Sequence, residues 1–182
     1  MTDVADTNKI ARFMDQQLPD RIRLQPLTRK KAFIQGTLDP RRLQRIPGFK
    51  EVVAVRDIRL ELKVETRESG LFLLNGRIEA RMELVCQRCL QGYSWSVNEP
   101  VRLHAGAVPG QVEGFESIEL EDDMLNIEQL VEDELILRIP QRPAHPRVED
   151  CDPAMLQRTQ EYAGEISEKR ENPFAVLKRE KP

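Results

Sequence analysis

Between residues 58 and 103 apolar side chains recur at every second position in separate segments. Ile58, Leu60, Leu62 and Val64 alternate with Arg59, Glu61, Lys63 and Glu65. After a turn at Glu68-Ser69-Gly70 and the run Leu71-Phe72-Leu73-Leu74, the positions Ile78, Ala80, Met82, Leu84 and Cys86 alternate with Arg77, Glu79, Arg81, Glu83 and Val85. A period of two with one charged face predicts antiparallel strands that cover a core on one side. Residues 93–103 predict a further strand, with Tyr93, Trp95, Val97, Val101 and Leu103 as its apolar positions. Shorter strands are expected at Lys31–Thr37 and Ser117–Glu121.

Helical signals flank this block. Asp39-Pro40 opens a predicted helix through Arg41–Ile46, since Asp caps a first turn and Pro suits the first helical position; Pro47-Gly48 closes it. Leu125–Ile139 predicts a second helix, stopped by Pro140. Its apolar residues Ile127, Leu130, Val131, Leu135 and Ile136 form no narrow stripe, which suits a mostly buried helix or a switch to strand near Leu135. Residues 1–20 read as a short helix or an N-terminal extension, and 152–171 as a polar helix or linker. The expected fold class is α+β: an antiparallel β-meander or partial barrel with a few flanking helices and a flexible C-terminal tail. The expected division is an extension over 1–20, a core domain over 21–150, and a linker with docking tail over 151–182.

Composition places the chain among soluble proteins: 40% hydrophobic and 32% charged over 182 residues is enough for one core under a heavily charged surface. The start, Met1-Thr2-Asp3-Val4-Ala5-Asp6, has no secretory character, and the longest apolar run is far too short to cross a bilayer. A cytoplasmic location is expected. The net charge of −3 conceals an asymmetry. Residues 21–50 carry Arg21, Arg23, Arg29, Lys30, Lys31, Arg41, Arg42, Arg45 and Lys50 against Asp39 alone, whereas residues 111–135 carry ten acids and no Lys or Arg. The basic segment is a candidate phosphate contact, Arg21 to Arg45 above all. The competing reading is that the two segments pack against each other, or are solvated faces. The acidic segment, with Glu119, Glu121, Asp122 and Asp123, is a candidate surface for a basic protein, weighed against a solvated loop.

Three cysteines carry the candidate chemistry. Cys86-Gln87-Arg88-Cys89 ends a predicted strand, and Cys151 follows His145 by six positions in a proline-rich loop. Two thiols two residues apart, plus a distant Cys and His, make the four donors of a structural zinc site. A redox dithiol fits less well, because such motifs open a helix rather than follow a strand. Ordinary reduced cysteines remain the third reading. The odd, low count excludes a disulfide framework.

Several motifs in order resemble the YceD family, the large ribosomal RNA subunit accumulation proteins. They are the hairpin into Leu84-Val85-Cys86-Gln87-Arg88-Cys89, the segment Val131-Glu132-Asp133-Glu134-Leu135-Ile136-Leu137 before the loop with His145 and Cys151, and the terminal Asn172-Pro173-Phe174-Ala175-Val176-Leu177. The resemblance spans roughly residues 24–180. It implies a bacterial cytoplasmic protein that supports 23S ribosomal RNA levels and large-subunit biogenesis, with no enzymatic activity. Other branches resemble a fuller metal site, with several cysteines where this chain has only His145 and Cys151.

The expected function is thus a non-catalytic factor whose partner is the large-subunit precursor, through 23S rRNA, ribosomal proteins or both. Neither a membrane nor a small-molecule substrate is expected. Asn172, Pro173, Phe174 and Leu177 are the candidate partner-binding tail, and structural Zn2+ at Cys86, Cys89, His145 and Cys151 is the one candidate cofactor. Two alternatives are kept. One is a nuclease or RNA-processing enzyme, for which no H-E-x-x-H, phosphate loop or nucleophile elbow is present. The other is a zinc-stabilised interaction module of unknown partner.

Overall fold

The computed structural model describes residues 16–25, 32–67, 71–106 and 112–168, and for 163–168 the backbone alone. The alternating segments form strands β2 (Ala32–Leu38), β3 (Val52–Thr66), β4 (Phe72–Val85) and β5 (Gly92–Gly106). A short β6 (Glu116–Glu119) completes a five-stranded sheet in the order β2-β3-β4-β5-β6. The first three pairings are antiparallel, as the period of two predicts. β6 departs from a pure meander: it runs parallel to β5, pairing Leu103 with Glu116 and Gly106 with Glu119. Strands are the commonest element among the described residues, and the sheet stays open rather than closing into a barrel. A second, two-stranded sheet joins β1 (Arg21–Arg23) to β7 (Met124–Asn126).

Side-chain parity decides which face is buried. Ile58, Leu60 and Leu62 on β3 face the core with Ile78, Met82 and Leu84 on β4, all at most 2% exposed. Each such burial contributes about 1.5–3 kcal/mol relative to exposure. The core is completed by α1 (Ile127–Arg138), which inserts Ile127, Leu130, Val131 and Leu135. Asn126 caps it, its side chain accepting the Gln129 N–H at 3.0 Å. The segment stays helical through Arg138, with no switch to strand. Gly76 marks a tight point in the sheet: a Cβ there would lie 1.7 Å from the carbonyl oxygen of Glu61 on β3.

The helix expected over Arg41–Ile46 is replaced by two 3-10 turns, Pro40–Arg42 and Ile46–Gly48. Asp39 does cap the first, accepting the Arg41 N–H at 3.0 Å. A continuous helix is prevented because the N–H groups of Arg45 and Ile46 bond instead to the carboxylate of Glu132 on α1. The polar segment after Cys151 forms a helix: α2 spans Pro153–Glu168. Up to Tyr162 only Met155 and Leu156 pack against the core. Cys151, first residue of the expected linker, is itself buried in that core. Among the described residues no helix is long and apolar enough to cross a membrane. The tail candidates Asn172, Pro173, Phe174 and Leu177, and the basic residues Arg29, Lys30 and Lys31, lie outside the described residues.

Candidate metal centre

The β4–β5 connection is a tight turn. Cys86 leaves β4, its carbonyl accepts the Leu90 N–H at 2.8 Å, and Cys86 N–H returns to Gln91 O at 2.9 Å. Both thiols of the C-x-x-C thereby sit inside one turn, fully buried. The loop after α1 is laid across it: Gln87 N–H donates to Pro143 O at 2.8 Å, and the Arg88 guanidinium donates to the His145 carbonyl. A 3-10 turn at Val148–Asp150 then swings Cys151 inward. The four residues named by the sequence converge, their donor atoms all within 4.8 Å of one another.

The spacing of those atoms tests whether a metal fits. Zinc bonds of about 2.3 Å to sulfur and 2.0–2.1 Å to nitrogen make a tetrahedron with sulfur–sulfur edges of ~3.8 Å and sulfur–nitrogen edges of ~3.6 Å. The Cys86 and Cys151 Sγ atoms lie 3.8 Å apart. His145 Nδ1 lies 3.5 Å from Cys89 Sγ and 3.6 Å from Cys151 Sγ. These are tetrahedral edges, far longer than the roughly 2.05 Å of a disulfide bond. The donor set, three thiols and one imidazole, matches zinc chemistry.

Electrostatics around the sulfurs agree. Burial raises the Cys86 thiol, but backbone N–H groups of His145, Cys89 and Arg88 outweigh it and hold the group down at about 5. The His145 N–H lies 3.4 Å from Cys86 Sγ. Cys151 moves the other way, to about 11, because burial and the neighbouring sulfurs of Cys86 and Cys89 disfavour a second thiolate. A divalent cation among the sulfurs reverses that repulsion, since coordinated thiols ionise outright. The Cys86 sulfur is thus the position in the cluster best disposed to carry negative charge.

Three neighbours escaped the sequence reading. Arg88 ties down the His145 carbonyl, Tyr93 sets its ring 5.2 Å from the imidazole, and Leu90 adopts φ 61° with 63% of its surface exposed. Arg88 and Leu90 sit inside or beside the C-x-x-C, which was the available signal. The Tyr93 hydroxyl is raised chiefly by burial.

The basic segment is distributed differently from the candidate metal ligands. Arg41 pairs with Asp39; Arg42 with Glu128 at 2.5 Å and with Asp20; Arg45 with Glu132 at 3.2 Å and with Asp133. The basic and acidic segments thus partly neutralise each other, as the competing reading anticipated. Arg21 and Arg23 are exposed on β1. Glu119, Glu121 and Asp122 line a cavity of about 490 Å3 with Arg21 and Asp133. On the main sheet His104 is fully buried, with neither ring nitrogen hydrogen-bonded among the described residues.

No solved structure matches the chain. Residues 74–179, which contain all four candidate ligands, match the family model described as Large ribosomal RNA subunit accumulation protein YceD. That match covers more than half of the sequence, and the chain therefore belongs to the YceD family.

Proposed function

We propose that the chain is a non-catalytic factor that supports 23S rRNA accumulation and biogenesis of the large ribosomal subunit, built around a structural zinc ion. The observation that carries this reading is the closed Cys86, Cys89, His145 and Cys151 set. Four protein donors are the number that fills zinc's tetrahedral shell, whereas catalytic zinc keeps one position for water or substrate. When bound, zinc supplies a crosslink between the β4–β5 turn and the loop before α2. The chain's own residues do the rest: Arg88 fixes the His145 carbonyl, and the turn amides solvate the Cys86 sulfur. The family description, accumulation of large-subunit RNA, supplies the process.

The partner in this reading is the large-subunit precursor, met in the cytoplasm through its RNA, its proteins or both. Of the basic segment, Arg21, Arg23, Arg41 and Lys50 are exposed described residues that form no ion pair with the acidic segment, Arg41 pairing instead with Asp39. The terminal Asn172-Pro173-Phe174-Ala175-Val176-Leu177 is the proposed protein-docking tail.

The test is the ratio of 23S to 16S rRNA in cells depleted of this protein, with rescue by the full chain or by a chain ending before Asn172. A selective fall in 23S rRNA, restored only by the full chain, is the expected result. An unchanged ratio on depletion overturns the reading.

A further inference from the structure

The face of the main sheet that points away from the core bears a ladder of cations. Across β3, β4 and β5 the successive outward rows are Arg56–Arg81–Ser96, Arg59–Glu79–Asn98, Glu61–Arg77–Pro100 and Lys63–Asn75–Arg102. Each row holds at least one cation, and neighbouring rows lie about 7 Å apart, two residues along a strand. Six cations stand against Glu61 and Glu79 within the rows and Asp57, Glu65 and Glu83 beside them, Lys63 being paired with Glu65. All five arginines are exposed, so no described element covers these rows.

A β-bulge builds this ladder. Residues three apart on a regular strand face opposite ways. Between Arg56 and Arg59 the register slips by one, with Asp57 at φ 53°, and both arginines therefore face outward while Ile58 enters the core. The bulge also sets Arg56 directly opposite Arg81, an unfavourable like-charge pairing. Their carboxylate contacts are long and single, Arg56 to Glu83 at 3.8 Å and Arg81 to Asp57 at 3.4 Å. Arg59, Arg77 and Arg102 have no carboxylate partner among the described residues. Clefts of about 570 and 360 Å3 flank the bulge, where Arg56, Arg59 and Arg81 share the lining with Asp57, Glu79 and Glu83. This contrasts with Arg42 and Arg45, whose guanidiniums are consumed by α1.

The geometry points to the outer face of β3–β4–β5, centred on Arg56, Arg59, Arg77 and Arg81, as a binding surface for the phosphodiester backbone of RNA. This rests on the large-subunit RNA reading above and goes beyond it by naming the surface and the contacted group. Regularly spaced guanidiniums, weakly engaged by carboxylates and interleaved with hydroxyl and amide side chains, suit phosphate oxygens, and they read no base sequence.

The test uses the full-length protein and an in vitro transcript of 23S rRNA, with affinity measured across a salt series. Arg56→Gln, Arg59→Gln, Arg77→Gln and Arg81→Gln are combined in one variant; all four side chains are exposed, and its melting temperature checks the fold. Expected is at least a ~10-fold loss of affinity near 0.15 M salt, with the salt slope flattened by about 0.7 for each phosphate no longer neutralised. An Arg21→Gln, Arg23→Gln variant is expected to lose less. If the wild type binds and the fourfold variant binds equally with the same slope, this surface is overturned while the RNA reading stands. If the wild type binds no RNA, the inference is overturned, and failure of the fourfold variant to restore 23S rRNA in depleted cells then shows that the face meets a protein.

Discussion

Glu132 on α1 holds Ile46, 86 residues earlier in the chain, by accepting its backbone N–H at 2.9 Å; the same oxygen accepts the Arg45 N–H at 2.5 Å. One buried carboxylate thus acts as a helix cap would, for a turn on another part of the chain. Glu132→Ala leaves two amide donors unsatisfied, one on a residue only 1% exposed, and is expected to destabilise the fold by about 2–3 kcal/mol in urea unfolding. A loss below ~0.5 kcal/mol contradicts this role.

The same carboxylate gives a pH signature. Burial raises its pKa, but the Ile46 and Arg45 amides and the Arg45 side chain outweigh burial, so the folded value lies below 4.5. Its stabilisation is complete above 4.5 and fades as pH falls through the lower folded value. Glu134, two residues on, is raised, mainly by burial, and acts in the opposite sense. Glu132→Gln is expected to weaken the acid-induced loss of stability, and Glu134→Gln to leave it or steepen it. Melting curves taken from acid to neutral pH separate the two.

Gly76→Ala is expected to be severely destabilising. The added Cβ meets Glu61 backbone at 1.7 Å, so β3 and β4 must separate at the middle of the sheet. A loss above ~2 kcal/mol is predicted, in the range of strain at a position with no room. Tolerance of alanine with an unchanged urea midpoint counts against the pairing of Gly76 with Leu62.

Leu90→Gly is expected to stabilise the fold. Leu90 holds φ 61° with an exposed side chain, and left-handed backbone costs a non-glycine residue roughly 1–2 kcal/mol, less the added chain entropy of glycine. A net gain of ~0.5–1 kcal/mol is predicted from equilibrium unfolding. Destabilisation instead identifies packing by the Leu90 side chain.

Arg88→Ala removes the donor that holds the His145 carbonyl over the turn. Groups that orient a metal ligand are typically worth about 10–100-fold in affinity. Competition against a chromophoric chelator is expected to show a weakening in that range with the zinc-to-protein ratio at saturation unchanged. Equal affinities place the orientation of His145 elsewhere.

Much of this was legible in the sequence, for a physical reason: period-two alternation is a local property, and β3, β4 and β5 follow it over most of their length. The four candidate ligands were legible from the C-x-x-C and the His145–Cys151 spacing, though their convergence depends on Gln87 meeting Pro143, which no local pattern encodes. The break between the 3-10 turns at Pro40 and Ile46 has no local signal, because the Arg45 and Ile46 amides are claimed by Glu132 from a distant helix. The parallel pairing of β6 was missed because so short a strand carries no orientation signal. The outward pairing of Arg56 with Arg59 was missed because strict alternation hides a one-residue bulge.

The most direct measurement is the zinc content of the full-length chain, purified under reducing conditions from unsupplemented culture, with its melting temperature before and after a strong chelator. The account predicts one zinc per chain, absent from a Cys86→Ser, Cys151→Ser variant, and a melting temperature lowered by at least ~5 °C on chelation, corresponding to about 2 kcal/mol for a chain of this size. A metal-free protein whose melting temperature is untouched by chelator contradicts it.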